Sequence, residues 1–309
     1  MKKVKLFFLF SLFFFSLLTV KAQSKIINNN PQNNLSTLLS NLSSIDLENI
    51  AQKIANSYLD KQLITEFDYN LTPEEARIIQ EKLINILSFT QGELIGYKAA
   101  LTNKKAQETF NVGQPLLGIL LENMLLPSGI KVPASFGAKP MMEGDLMVRV
   151  ASKKINEATT PQEILQYLDA VIPFLELPDL VYDKNIKVNG EMLTAINAGA
   201  RLGVVGNIIP LDITNSNEDQ LKNISVTLGD ESGKMIAHGN SNSLLGDPLT
   251  VVFWIKQQLQ TQGKTLKKGD LLSLGSITPL IPVATGKTIT AEYRGLPKTE
   301  IETIAVTFE

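Results

Sequence analysis

Met141-Met142-Glu143-Gly144-Asp145-Leu146-Met147-Val148-Arg149-Val150 is the stretch from which the rest of the chain can be read. Its apolar, partly β-branched composition is that of a strand. Residues two apart on a strand point to the same face. Glu143 and Asp145 then project side by side, about 6–7 Å apart at Cα, a separation from which two carboxylates can reach one hard cation. Gly144 between them leaves space for another group to approach. Taken alone, the pair is equally the acidic face of a solvent-exposed strand, because most acidic residues are exposed.

Moving outward, Thr160-Pro161-Gln162-Glu163 carries an N-cap, a proline at the first helical position and a capping glutamate. It predicts a helix with Ile164, Leu168 and Val171 on its buried side. Val171-Ile172-Pro173-Phe174-Leu175-Glu176-Leu177-Pro178 follows. A carboxylate in so apolar a segment is costly to bury unless it is paired or bound to a metal; an edge-strand surface residue is the other reading of Glu176. Towards the N-terminus, Leu47, Ile50, Ile54 and Tyr58 recur at helical spacing. A second helix starts at Thr72-Pro73-Glu74-Glu75, with Ala76, Ile79, Leu83 and Ile86 as its apolar stripe. Towards the C-terminus, Asp247-Pro248 opens a helix carrying Val251, Ile255 and Leu259, with Gly263 as its stop. Residues 287–293 and Ile301–Phe308 read as strands. Helices at the front and strands behind predict an α+β fold.

Composition narrows the chemistry. The 309 residues are 44 % hydrophobic and 19 % charged, enough apolar material for a full core. A net charge of −2 offers no basic face for nucleic acid. There is no cysteine and one histidine, His238. Disulfides, thiolate zinc sites, cysteine nucleophiles and multi-histidine metal sites are excluded within one chain. Any bound metal must therefore take oxygen ligands, which favours Mg²⁺ or Mn²⁺. His238, in Ala237-His238-Gly239-Asn240, is expected in a hairpin or loop with a structural or exposed role.

Residues 1–22 combine a lysine-rich start, an apolar run from Leu6 to Val20 and the small-residue signature Val20-Lys21-Ala22. This is the layout of a signal peptide cleaved before Gln23. The apolar run is shorter than the roughly 20 residues that span a bilayer, so an exported protein without a stable membrane anchor is expected. Residues 23–45, rich in Asn and Ser, read as a flexible leader. The folded domain is expected over residues 46–309.

Several segments, in order, resemble the 2-oxopent-4-enoate hydratase / 4-oxalocrotonate decarboxylase family of the fumarylacetoacetate hydrolase superfamily. Glu143-Gly144-Asp145 followed by Pro173-Phe174-Leu175-Glu176 resembles its metal-binding acids. Ile95-Gly96-Tyr97-Lys98-Ala99-Ala100-Leu101-Thr102 is similar to its lysine-bearing strand. Gln114-Pro115-Leu116-Leu117-Gly118, Leu245-Gly246-Asp247-Pro248 with Trp254, Lys268-Gly269-Asp270 and Gly275-Ser276-Ile277-Thr278 extend the likeness over roughly residues 46–308. The resemblance implies a mixed β-barrel or roll core with flanking helices. It also implies a 2-oxo-acid or 2-hydroxydienoate substrate. By the same likeness Glu143, Asp145 and Glu176 would hold the metal, Lys98 would be the catalytic lysine, and Ser276 and Thr278 would bind the substrate. On composition alone Lys98 is an ordinary surface lysine, and residues 275–278 are a plain turn. Relatives are often oligomeric, which leaves a homo-oligomer possible.

The chain departs from the pattern in four places. Asp145 stands where the family has a second glutamate, with a shorter reach. Gly113 replaces an aspartate linked to proton or water chemistry. Ile196-Asn197-Ala198-Gly199 loses an acid and a hydroxyl, and Asp247 replaces a histidine. The expected activity is that of a lyase, hydrating a dienoate or decarboxylating a 2-oxo-diacid; the change at Gly113 harms hydration more, since only hydration needs a positioned water and a base. The alternative is a catalytically weak, exported oxo-acid-binding protein on the same scaffold. Hydrolysis of an acylpyruvate is a third option, for which the sequence offers no evident base.

Overall fold

The computed structural model describes residues 42–211 and 221–309. The signal peptide and most of the leader expected from the sequence lie outside the described residues. Helix α1 (Ser44–Asp60) starts inside the stretch assigned by composition to the leader, because Ser43 and Asp46 form a capping box. It buries the expected Leu47, Ile50, Ile54 and Tyr58. Helix α2 (Pro73–Gln91) is capped by Thr72 and Glu75 and buries Ala76, Ile79, Leu83 and Leu87; Ile86 is half-buried at the edge of that stripe. The two helices pack together against the sheet that follows.

That sheet is mixed. Strands β1 (Leu94–Ala100), β2 (Leu116–Leu121), β3 (Leu125–Pro127), β5 (Met141–Val150), β6 (Leu168–Leu177), β7 (Leu202–Val205) and β11 (Leu271–Ser273) run in the order β2-β1-β11-β5-β6-β7-β3. The short β8 (Ile209–Pro210) pairs with β6, and β12 (Ile281–Pro282) with β5. A second sheet has the order β10 (Met235–Asn240), β9 (Ser225–Gly229), β13 (Thr288–Arg294), β14 (Ile301–Phe308), β4 (Ile130–Val132). The architecture is α+β, as expected. At the centre, β5 and β6 are buried along almost their whole length, which is why both read as nearly continuous apolar runs rather than alternating ones.

The remaining helices are α3 (Lys104–Thr109), α4 (Pro161–Ile164), α5 (Gly190–Ala195) and α6 (Pro248–Thr261). Asp247 caps α6, which buries Val251, Ile255 and Leu259, and Gly263 beyond it adopts the left-handed conformation. The helix expected after Thr160 is a correction. Its cap forms, but α4 is one turn, followed by a 3₁₀ turn over Leu165–Tyr167. Leu168 and Val171 lie on β6 instead. Eight paired positions with β5 outweigh a helical start that has only one turn to extend. His238 is likewise on a strand, β10, and exposed.

Candidate active site

Strand pairing assembles the acids. Glu143 on β5 lies opposite Glu176 on β6. Asp145 is two residues further along β5, on the same face. Their residues are 7 %, 2 % and 0 % exposed for Glu143, Glu176 and Asp145. Neither the solvent-facing strand nor the edge-strand reading describes these positions.

Lys98 arrives from β1, two strands beyond β5's far side in the sheet order. On a flat sheet three strand spacings, roughly 14 Å, would separate β1 from β6. Side chains standing perpendicular to a flat sheet would remain that far apart at their tips. Yet Lys98 Nζ forms a buried ion pair with Glu176 Oε1. The sheet must curl around the site, and the ion pair lies inside the curl. Lys98 Nζ also donates to the Ala198 carbonyl at 3.1 Å. That carbonyl is presented by Asn197, Ala198 and Gly199, three successive residues with φ of 58°, 52° and 71°. Asn197 is held by hydrogen bonds to the backbone of Ile119 and from Gln80. Gly118, paired with Lys98 across β1 and β2, lets the lysine stem pass: a Cβ there would sit 2.5 Å from Lys98 Cγ.

Asp145 is differently engaged. Its Oδ1 accepts from the Gly275 amide at 2.9 Å and from the Leu146 amide, and its Oδ2 accepts from the Ser273 hydroxyl. The 275–278 loop is pinned between the two β5 acids. Ile277 and Thr278 amides donate to the Gly144 carbonyl at 2.8 and 3.2 Å, and the Gly144 amide donates to Thr278 Oγ1 at 2.8 Å. A Cβ at Gly144 would meet Val226 at 2.7 Å and Thr278 at 3.0 Å, so the space inferred for a second group is filled by this loop and β9. Thr278 Oγ1 donates in turn to the Pro279 carbonyl at 3.3 Å, which commits its hydroxyl to the protein. Ser276, half-buried, hydrogen-bonds Glu143.

Glu143, Asp145 and Glu176 are all buried, with Lys98 paired to Glu176. Burial, and then the charge of Glu176, push Glu143 up to about 8. Burial and the same neighbour hold Asp145 well above the ordinary aspartate range, against the pull of Ser273 and the Leu146 amide. Glu176 Oε2 is buried and has no hydrogen-bond partner. An orphaned carboxylate oxygen among under-compensated acids suits a hard divalent cation, whose ligands are oxygens. Among the described residues no three acidic or histidine side chains converge closely enough to hold an ion as they stand. Glu143 and Glu176 lie opposite each other for such an ion, and Asp145, with two donors on Oδ1 and Ser273 on Oδ2, keeps one lone pair with which to join them.

Lys98, Glu143, Ser276 and Thr278 line a cavity of about 610 Å³; Glu176 and Asp145 lie behind that lining. His238 is on its wall, with Nδ1 3.0 Å from Thr227 Oγ1. Gly113 is not; it lines a second cavity of about 560 Å³ with Arg77, Gln114 and Trp254. Ser273 and the 197–199 turn carried no local signal as site residues. Ser273 sits in an apolar run, and Asn197-Ala198 read only as a lost acid and hydroxyl.

No family model matches the chain. It is 27 % identical over 212 residues to 2-keto-4-pentenoate hydratase of Paraburkholderia xenovorans, covering 68 % of this chain and 76 % of that protein. It is 25 % identical over 250 residues to 4-oxalocrotonate decarboxylase of Pseudomonas putida, covering 80 % and 92 %. In three dimensions it superposes on 4-oxalocrotonate decarboxylase from Pseudomonas putida G7, solved with magnesium and adipate. The TM-score is 0.76 at 24 % identity, over 87 % of this chain and 99 % of that one.

Proposed function

We propose that this relative of the 2-keto-4-pentenoate hydratases and 4-oxalocrotonate decarboxylases is a divalent-metal-dependent lyase acting on a 2-oxo acid or 2-hydroxy-2,4-dienoate. The observation that carries the reading is the buried pairing of Glu143 and Glu176 beside Lys98, with Glu176 Oε2 unpartnered, next to a ligand-sized cavity. Glu143 and Glu176, joined by Asp145, would hold Mg²⁺ or Mn²⁺, which when bound supplies Lewis-acid stabilisation of enolate charge. Lys98 is held by Glu176 and the Ala198 carbonyl, so its ammonium can hold or deliver a proton at a fixed position. Ser276, whose hydroxyl donates to Glu143, would have to turn from it to meet the substrate's carboxylate, while Thr278 braces Gly144 between the acids. Decarboxylation is favoured over hydration, because the acid among the described residues lining this cavity is Glu143, which the metal would engage, leaving no carboxylate there to activate water.

Turnover of a 2-hydroxydienoate, a 2-oxo-diacid and an acylpyruvate, each with Mg²⁺ or Mn²⁺, tests the reading; decarboxylation should exceed hydration. The engagement of Asp145 by Ser273 and Gly275 favours one other reading, an oxo-acid-binding protein with weak catalysis. Tight binding without turnover of any member would select it. Export is proposed alongside, on the strength of residues 1–22. N-terminal sequencing of the mature protein should begin at Gln23, and an intact Met1 would refute it.

A further inference from the structure

The wall of the large cavity carries donors that the acids and Lys98 do not use. Among the described polar side chains in that wall, Thr109 donates to the Lys105 carbonyl at 2.8 Å and Ser243 to the Ser276 carbonyl at 3.3 Å. Asn103 caps α3 through Oδ1, which leaves its amide nitrogen. His238 and Lys105 remain as the open groups able to carry positive charge. His238 is exposed, and its Nδ1 is held by Thr227. In the tautomer in which Thr227 donates, Nε2 carries a hydrogen to offer a ligand. Lys105, on α3, is exposed, and no described carboxylate pairs with it. Both groups are rooted beside the 275–278 loop. A Cβ at Gly275 would sit 2.4 Å from Thr102 Oγ1, on the segment that leads into α3. A Cβ at Gly239, next to His238, would sit 1.8 Å from the Ile277 carbonyl oxygen. The same loop holds Asp145 through the Gly275 amide and Gly144 through the Ile277 amide. A substrate bound against Glu143 therefore shares its cavity with His238 and Lys105.

Resting on the decarboxylation reading above, we infer that His238 and Lys105 form the subsite for the second carboxylate of a 2-oxo-diacid, and so select diacids over monoacids. An ammonium and an imidazole N–H both make charge-assisted hydrogen bonds to a carboxylate. This carboxylate is the one that leaves. Its C–C bond breaks, the electron pair moves onto the 2-oxo oxygen to give the enolate, and neutral CO₂ departs. The enolate then takes the proton that Lys98 holds. Pairing with His238 and Lys105 thus stabilises the reactant's charge and not the transition state's, so the subsite sets KM rather than kcat. Both groups are exposed, where ion pairs are weak, which keeps that hold on the reactant small.

The test is calorimetric binding, to the full chain with Mg²⁺, of the saturated diacid 2-oxohexanedioate and of 2-oxohexanoate, the monoacid of equal length. The wild type should bind the diacid about five- to tenfold more tightly. His238→Ala and Lys105→Ala, at exposed positions that leave the core intact, should each lose part of that preference. The double variant should lose all of it, with monoacid affinity unchanged. In steady-state decarboxylation of 2-oxohex-3-enedioate, whose second carboxylate is conjugated to the oxo group when it leaves, the double variant should raise KM about five- to tenfold with kcat unchanged or higher. Equal affinity for the two acids in the wild type, or a diacid preference that survives in the double variant, overturns the subsite and leaves the lyase reading standing. A lower kcat at unchanged KM also overturns it, since the two groups would then act in the chemistry. Failure of both acids to bind removes the head-group reading, and this inference with it.

Discussion

Lys98 is buried against Glu176 and near Glu143, and its removal should have two separable effects. Lys98→Met keeps the stem and deletes the ammonium. Turnover should fall by about 10²–10⁴-fold, the range for a positioned proton donor, while Mg²⁺ still binds. Metal-free protein should also lose about 3 kcal/mol, because breaking a buried pair leaves Glu176 uncompensated; denaturant melts check this. Wild-type turnover in the variant would exclude Lys98 from the chemistry. Glu143 gives a pH test. Its folded pKa is raised from 4.5 to about 8, so the folded state keeps a proton that the unfolded chain releases. That contribution is fully present below about 4.5 and is lost as pH rises through about 8. The melting temperature of metal-free protein should fall across this window. Stabilisation by added Mg²⁺ should grow over the same window as the ion takes the proton's place. A metal-free melting temperature that rises instead would contradict the burial of Glu143. The acids and Lys98 were legible from sequence through an apolar context and ordered motifs. Ser273 was not, because its contact with Asp145 depends on β11 pairing with β5, a register that no local pattern encodes.

At the scale of elements, capping chemistry was the most readable signal. Thr72, Thr160 and Asp247 cap helices as their sequence contexts imply, whereas Ser43 does so from within the stretch assigned to the leader. The cap at Thr160 started a helix without sustaining it, since a cap specifies a beginning and the β5–β6 pairing decided what followed. Short helices α3 and α5 escaped notice because six residues cannot display a period. The β1–β2 ladder offers a test of how elements aim the lysine. Gly118 has no side chain where the Lys98 stem passes. Gly118→Ala should keep the fold, with a stability loss of about 1–3 kcal/mol from overpacking, yet lower kcat by more than tenfold by displacing Nζ from Glu176 and Ala198. Circular dichroism and steady-state kinetics read the two separately. Unchanged kcat would mean that Lys98 has another route to its position.

Across the molecule, the curl of the large sheet turns four separate segments into one site. It carries β1 to β6 and brings Lys98, Glu143 and residues 276–278 to one cavity, with Glu176 paired to Lys98 behind them. The ordered motifs implied this fold, but which residue faces which cavity follows from curvature alone. Gly113 illustrates the gap: an aspartate there would find open space, but beside the second cavity, so Gly113→Asp is not expected to restore hydration. The proposed chemistry depends on Glu143 and Glu176 forming the core of a divalent-cation site. Isothermal titration of metal-free protein with Mg²⁺ and Mn²⁺ tests it most directly, with Glu143→Gln and Glu176→Gln alongside the wild type. One ion per chain is predicted, with affinity at least about tenfold weaker in each variant, since each loses a charged oxygen ligand while keeping its shape. Undiminished affinity in both variants, or no binding by the wild type, would contradict it.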